Sequence, residues 1–485
     1  MDNLIMRRII LVMLFISTTI AQSASPMFRV KMIANKNGQE SYLTVRPKPS
    51  SRTYPYAGIN LTNSGYSLVN SSDCTMQSNG WCTFSFSSKQ PKTFRIKRTS
   101  QSVSSRNITF RLALNARGRD PISTQMMTVS EQEAGRIIGY LYGWESPPDA
   151  SAIAAAGYTH VLIAFGLFST TSPGTINIDD ISGFDLATYV QSLHDSGLKV
   201  LLSIGGASTS ISNTTVDFDA AIQLASSPSA FETTFINNMT SLVSTYGFDG
   251  FDFDIEQGFN AAYSFSAPST NCSNDTYDSA CDIFYLTTII NNFHTQSPDS
   301  MLTLAPQIAN ISATPSFSSI WGNYASLIMQ TYSSLTWVGF QNYNSGCAYG
   351  INLVCYPTTG TLTSTADPAV AFATDLLASW PATISSGQET GFQPYISYLQ
   401  PSQVVIGYTV NNSSGQSDGS PAADTSVAQN VIECLSTNED CDTYTPPSTY
   451  SGIGGVFSWT INYDATTGYQ FATNLYPCVI QGNCT

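Results

Sequence analysis

From Arg136 onward, eight short apolar runs recur along the chain: "IIGYLYG", "THVLIAFGLF", "KVLLSIGG", "FDGFDFDIE", "LTLAP", "LTWVGFQNY", "QVVIGYTV" and "GGVFSWTI". The stretches between them read as helices, the clearest being "SPSAFETTFINNMTSLVSTYG". There Phe231, Phe235, Met239, Leu242, Val243 and Tyr246 return at helical spacing, Ser229 with Glu232 forms a capping box, and Gly247 is a C-terminal stop. Strands alternating with helices predict an α/β fold, and eight of them predict a (β/α)8 TIM barrel over residues 135–485. A doubly wound open sheet shares the alternation and stays open at this point.

Residues 25–118 carry a different pattern. Runs such as "FRVKMIA", "SYLTVRP", "CTFSFSS", "TFRIKR" and "NITFRLALN" alternate with period two between Gly, Asn, Ser and Pro. They predict a small all-β, sandwich-like accessory domain ahead of the barrel. Residues 119–134 show no sustained period and read as a linker. Residues 1–24 combine Arg7 and Arg8, an apolar run from Ile9 to Ile16, and small residues around Ala21 to Ala24, the layout of a secretory signal peptide. The run is too short to span a bilayer and no other segment is long and apolar enough, so a secreted, extracellular protein is expected. The ten cysteines fall as near neighbours: Cys74 and Cys82, Cys272 and Cys281, Cys347 and Cys355, Cys434 and Cys441, Cys478 and Cys484. In an oxidising compartment such pairs would close short loops as disulfides.

Charge divides the chain at the same place. Seventeen of the 19 Lys and Arg precede residue 135, against 6 of the 33 acids, so the first part carries +11 and the rest −25. A cation-poor barrel is ill suited to nucleic acid or to phosphorylated or sulfated ligands, and a neutral partner is expected. The basic first domain, with Arg29, Lys31, Arg95, Lys97, Arg98 and Arg111, suits an anionic surface, the acidic barrel itself or insoluble glycan.

"FDGFDFDIEQ", residues 248–257, sets four acids into an apolar strand. Residues two apart share a face, so Asp252, Asp254 and Glu256 point one way and Phe251, Phe253 and Ile255 the other. In a barrel the acids climb the interior toward the C-terminal rim, where active sites of such folds lie. Carboxylates this close in a partly dry interior retain at least one proton near neutral pH, and a protonated acid beside an ionised one suits glycoside hydrolysis. A calcium loop fails because its sixth position would be Gln257 and its twelfth Tyr263. A magnesium site built on the Asp-x-Asp pair stays open.

The segment "DGFDFDIE" resembles the DxxDxDxE signature of glycoside hydrolase family 18, the chitinases and related enzymes. The likeness extends along the barrel: "SIGG", ending at Gly205 and Gly206, looks like the family's third strand. "LTLAPQ" looks like the fifth, "FQNYN" the sixth and "GGVFSWTINYD" the eighth. The resemblance implies a chitinase acting on chitin or a related N-acetylglucosamine glycan by a substrate-assisted retaining mechanism, and a monomer without cofactor or metal is expected. It makes Glu256 the general acid and later base. Asp254 holds the substrate acetamido N–H, and Asp252 shares a proton with Asp254. Tyr343 bonds the acetamido oxygen and Trp459 floors the subsite of the cleaved sugar. Gln341, Asn344, Gln307 and Trp144 are further candidates for lining the cleft, and Asp249, on the opposite parity, reads as structural. The interval between the seventh and eighth strands lacks room for a wall-forming insertion, so an open groove and endo cleavage are expected. An endo-β-N-acetylglucosaminidase acting on N-glycans would use the same carboxylates, whereas a lectin that keeps the barrel without turnover usually loses the terminal acid, which is intact here as Glu256. "GQSDG", Gly415–Gly419, matches GxSxG but reads as a loop with no partnered His.

Overall fold

The computed structural model describes residues 28–484 except 35–39, 48–55, 63, 71–73, 79, 86–90, 100–104, 114–122, 133–134, 260–271, 309–323, 353, 359–364 and 380–394. The expected signal peptide, residues 1–24, lies outside the described residues. Among those described, no helix is long and apolar enough to cross a membrane.

Eight parallel strands close on themselves. They are β1 (Arg136–Tyr142), β2 (His160–Ser169), β3 (Lys199–Gly206), β4 (Gly250–Ile255), β5 (Met301–Leu304), β6 (Trp337–Gln341), β7 (Val404–Thr409) and β8 (Gly455–Trp459). Each pairs with its neighbour in sequence, and β1 pairs with both β2 and β8, which removes the open-sheet alternative. Strand parity sets the layers. Phe251, Phe253 and Ile255 join the outer core against the helices, with Phe251 edge-on to Phe293 at 5.6 Å. A separate inner cluster, including Ile138, Tyr140, Leu162, Leu201, Trp337 and Phe457, fills the barrel.

The helix after β3 runs Pro228–Tyr246 and ends at Gly247 in the left-handed conformation, as expected. Its cap is Ser227 rather than Ser229: the Ser227 hydroxyl accepts from Ala230 N at 3.2 Å. Pro228 lacks an N–H and has its φ fixed, which suits the first helical position and moves the cap to the residue before it. Glu232 is not part of a box and accepts instead from Asn274 and Asn292.

Ahead of the barrel lies a nine-stranded sheet of two antiparallel halves, joined by a short parallel pairing of Phe28–Ala34 with Ser123–Gln132. One holds Tyr66–Leu68, Lys92–Arg98, Glu40–Pro47 and Phe28–Ala34; the other holds Ser123–Gln132, Ser105–Ala113, Tyr56–Asn60, Trp81–Ser85 and Thr75–Met76. Aromatic pairs bridge their inner faces, Phe28 with Phe110 at 5.6 Å and Phe84 with Phe94 at 4.8 Å. The segment 119–134, expected as a linker, instead supplies the strand Ser123–Gln132, paired along Ser105–Ala113. Backbone pairing forms this strand, and outward residues such as Met126, 67 % exposed, leave no clear apolar period to read in the sequence.

The basic domain rests on the acidic barrel. Arg46 Nη1 meets Glu433 Oε1 at 3.0 Å and Thr44 Oγ1 donates to Gln481 O at 2.9 Å. A cavity of about 350 Å³ between them is lined by Lys31, Thr44, Arg46, Glu433, Ser436 and Thr449 among others. Four expected disulfides are formed, Cys74–Cys82, Cys272–Cys281, Cys434–Cys441 and Cys478–Cys484. The Cys347 side chain lies outside the described residues.

Candidate active site

Strand β4 delivers three acids to the barrel interior. Asp252, Asp254 and Glu256 are all buried. Asp252 is the deepest and is held by three hydroxyls: Tyr140 and Ser203 donate to its Oδ2, each at 2.8 Å, and Thr303 donates to Oδ1 at 2.6 Å. Ser203 and Thr303 lie directly opposite Asp252 on the flanking strands β3 and β5. Burial raises the Asp252 carboxyl above the usual range and these three bonds pull it back.

Asp254 and Glu256 form the reactive pair. They are hydrogen-bonded to one another. Burial, then the charges of Glu256 and Asp252, push the Asp254 carboxyl well above its ordinary value. Burial raises Glu256 too, opposed by hydrogen bonds from Gln341, Gln307 and Asp254. Asp254 thus feels both neighbours on the strand, Glu256 above it and Asp252 below, while the hydroxyl cradle satisfies Asp252.

Gln341 and Gln307 serve the acids. Gln341 Nε2 lies 3.0 Å from Asp254 Oδ1, 3.2 Å from Glu256 Oε1 and 3.1 Å from Ala305 O, and Gln307 Nε2 donates to Glu256 Oε2 at 2.9 Å. Tyr343, two residues past β6, is buried, and its phenol is raised by burial and then by the charges of Asp254, Glu256 and Asp252. It is held neutral beside them as a hydrogen-bond donor.

Aromatic rings form one wall of the site. Trp459, last residue of β8, stacks on Phe165 at 5.7 Å, and Phe165 faces Trp144 at 6.4 Å. Trp144, 40 % exposed, also stacks on Tyr142 at 4.6 Å. Indole faces of this kind suit the C–H faces of pyranose rings.

The glycines ending β3 allow the strands to close here. A Cβ on Gly205 would lie 2.2 Å from Asp254 O, and one on Gly206 2.8 Å from the Phe165 ring, and both have positive φ. Asp249 lies at the other end of β4. It accepts from Lys199 Nζ at 2.6 Å, Val200 N at 2.8 Å and pairs with His194 Nε2 at 2.9 Å, tying β4 to the helix before β3.

Asn344, expected to line the cleft, follows Tyr343 directly. It is exposed, at φ 54°, and clamps the loop after β7: its N–H donates to Ser420 O and its Oδ1 accepts from Ser420 N, each at 2.8 Å. An amide offers both donor and acceptor at the backbone, and the clamp uses the acceptor. The sequence reading also missed Tyr140, Ser203, Thr303, Phe165, Tyr142 and Asp418. The signal for Ser203 and Thr303 was a small hydroxyl in an otherwise apolar buried strand.

Comparison with known proteins agrees with this geometry. The model of the family described as Glycosyl hydrolases family 18 matches residues 136–476. The crystal structure of the Legionella pneumophila ChiA C-terminal domain is 53% identical, covering 72% of this chain and 100% of that one, with a TM-score of 0.66. Chitinase Chi52 of Paenibacillus xylanexedens is 29% identical over 282 residues, 58% of this chain and 48% of that protein. Endochitinase 37 of Trichoderma harzianum is 31% identical over 219 residues, 43% of this chain and 56% of that protein. The chain thus spans about half the length of these curated relatives. With the family match running from the first barrel strand past the last, across the acidic segment of β4, the chain belongs to glycosyl hydrolase family 18.

Proposed function

We propose that the chain is a secreted chitinase that cuts β-1,4-linked N-acetylglucosamine polymers internally, with retention and with the substrate's acetamido group as nucleophile. The observation that carries the reading is the buried Asp254–Glu256 pair, both carboxyls raised chiefly by burial, beside an aromatic wall. Relatives named as chitinases support the substrate class. Glu256 gives its proton to the glycosidic oxygen as the acetamido carbonyl oxygen bonds to the anomeric carbon, and the sugar beyond the cleaved bond departs. Asp254 accepts from the acetamido N–H and steadies the positive charge of the oxazolinium; Tyr343 donates to the acetamido oxygen. Glu256, now ionised, takes a proton from water as the water oxygen attacks the anomeric carbon and opens the ring. Among the described residues, no Lys or Arg pairs with Asp252, Asp254 or Glu256, which suits a neutral glycan. An interval between β7 and β8 filled by a loop and the single helix Thr425–Thr437 supports an open groove and endo cleavage.

The test is hydrolysis of a fluorogenic N,N'-diacetylchitobioside by the full chain beside Glu256→Gln. The substitution should lower kcat by at least ~10³-fold, somewhat beyond loss of a general acid alone because the same group serves both steps. Equal rates in the two proteins would overturn the reading. Release of glycan from a high-mannose glycoprotein with no cleavage of chitin oligomers would assign the same carboxyls to N-glycan hydrolysis instead.

A further inference from the structure

One carboxylate in the site comes from outside the acidic segment at β4. Asp418 sits in the loop after β7, and its Oδ2 accepts from Tyr142 Oη at 2.6 Å and from Trp459 Nε1 at 3.2 Å. The indole N–H is the only polar group on the Trp459 ring, so this bond fixes rotation of the ring about its own side chain while Phe165 fixes its face. Tyr142 braces the same carboxylate and meets Trp459 edge-on at 5.5 Å.

The loop is itself held in place. Asn344, the residue after Tyr343, bonds both backbone groups of Ser420. Thr409 Oγ1 donates to Pro421 O at 2.8 Å, and Gly419 lies so close that a Cβ there would be 2.4 Å from Thr409 Cγ2. A chain of contacts therefore runs from Asn344 through Ser420 to Asp418 and on to Trp459.

We propose that Asp418 is a positioning and specificity residue for the glycan: Oδ2 sets the plane of Trp459, Oδ1 is presented to a hydroxyl of the sugar stacked on it, and Asn344 holds Asp418 in register. This rests on the reading of Trp459 as the floor of a sugar subsite. The hydroxyl contact is a neutral donor to a charged acceptor, and it favours a sugar with a free hydroxyl at that edge over one substituted there.

The experiment compares Asp418→Ala, Asp418→Asn, Asn344→Ala and the Asp418→Ala/Asn344→Ala double variant in the full chain, with the fluorogenic chitobioside and with thermal unfolding as a check on folding. Asp418→Ala should raise KM about tenfold while kcat changes less than about threefold. Asp418→Asn, which keeps an acceptor oxygen, should fall between it and the wild type. Asn344→Ala should raise KM in the wild type and add nothing in the Asp418→Ala background. An unchanged KM in Asp418→Ala, or effects of the two substitutions that multiply, would overturn the proposal. Should Asp418→Ala not fold, Asp418→Asn carries the same test, and a wild-type KM in it overturns the proposal. Absence of turnover in the wild type would fail the functional reading alone. The link to Trp459 is then read by near-ultraviolet circular dichroism. Asp418→Ala must alter the aromatic signal of the wild type more than that of Trp459→Phe, where only its bond to Tyr142 is lost, and an equal change in the two overturns the link.

Discussion

Asp254 places chemistry and stability in opposition. Its carboxyl is raised in the folded protein, so the native state binds more protons than the unfolded chain between the ordinary aspartate value and the raised one. Stability contributed by this group is present at low pH and declines as pH rises through that window. Asp254→Asn removes the titration and keeps the hydrogen-bonding shape. Relative to the wild type it should gain on the order of 1–3 kcal/mol at pH 8 and little or nothing at pH 4, while activity is lost. Thermal unfolding at the two pH values checks this, and an equal difference at both would argue against a raised carboxyl. The three acids were legible in the sequence because alternation on one strand fixes which face they share. Their partners were not. Tyr140, Ser203 and Thr303 come from three other strands and meet Asp252 only when the barrel closes, and Asp418 lay inside a GxSxG match that was rightly read as a loop. The clamp made by Asn344 was not legible because its partner, Ser420, is 76 residues away.

At the scale of single elements, local signals decided more than long-range ones. The eight barrel strands and the stop of helix Pro228–Tyr246 at Gly247 follow from apolar runs and a left-handed glycine. The start of that helix was shifted by a proline whose preference for the first turn outweighs a good capping-box sequence. Ser227→Ala should therefore cost about 1 kcal/mol, against less than about 0.5 kcal/mol for Ser229→Ala. Chemical denaturation of the two variants distinguishes the assignments, and a larger effect at Ser229 would return the cap to that residue. The strand Ser123–Gln132 escaped detection for a related reason: its place is set by pairing with Ser105–Ala113, which a run of Thr, Met and Gln does not advertise.

Across the whole molecule, the division of charge between the two parts of the chain becomes a contact. Glu433 faces Arg46, with side chains only 12% and 19% exposed, and lies beside Lys31, whose ammonium is lowered chiefly by burial and held up in part by Glu433. Glu433→Ala would remove the carboxylate that holds up Lys31 and leave Arg46 only the more exposed Asp440 at 3.8 Å, a larger fault than Arg46→Ala, which removes one charge and leaves Glu433 near Lys31. Glu433→Ala should lower the unfolding temperature by a few degrees, from a loss of roughly 1–3 kcal/mol at a partly exposed pair, and enlarge the radius of gyration in X-ray scattering. Unchanged values for both would show that the domains are held by other contacts. The four disulfides among the described residues join cysteines only 6 to 9 positions apart, and each stays within one neighbourhood of the fold. Each cysteine therefore meets its native partner soon after both leave the ribosome or translocon, before distant strands have paired. Oxidation of this chain can proceed in step with its synthesis, with little need for an isomerase to correct mispaired bonds.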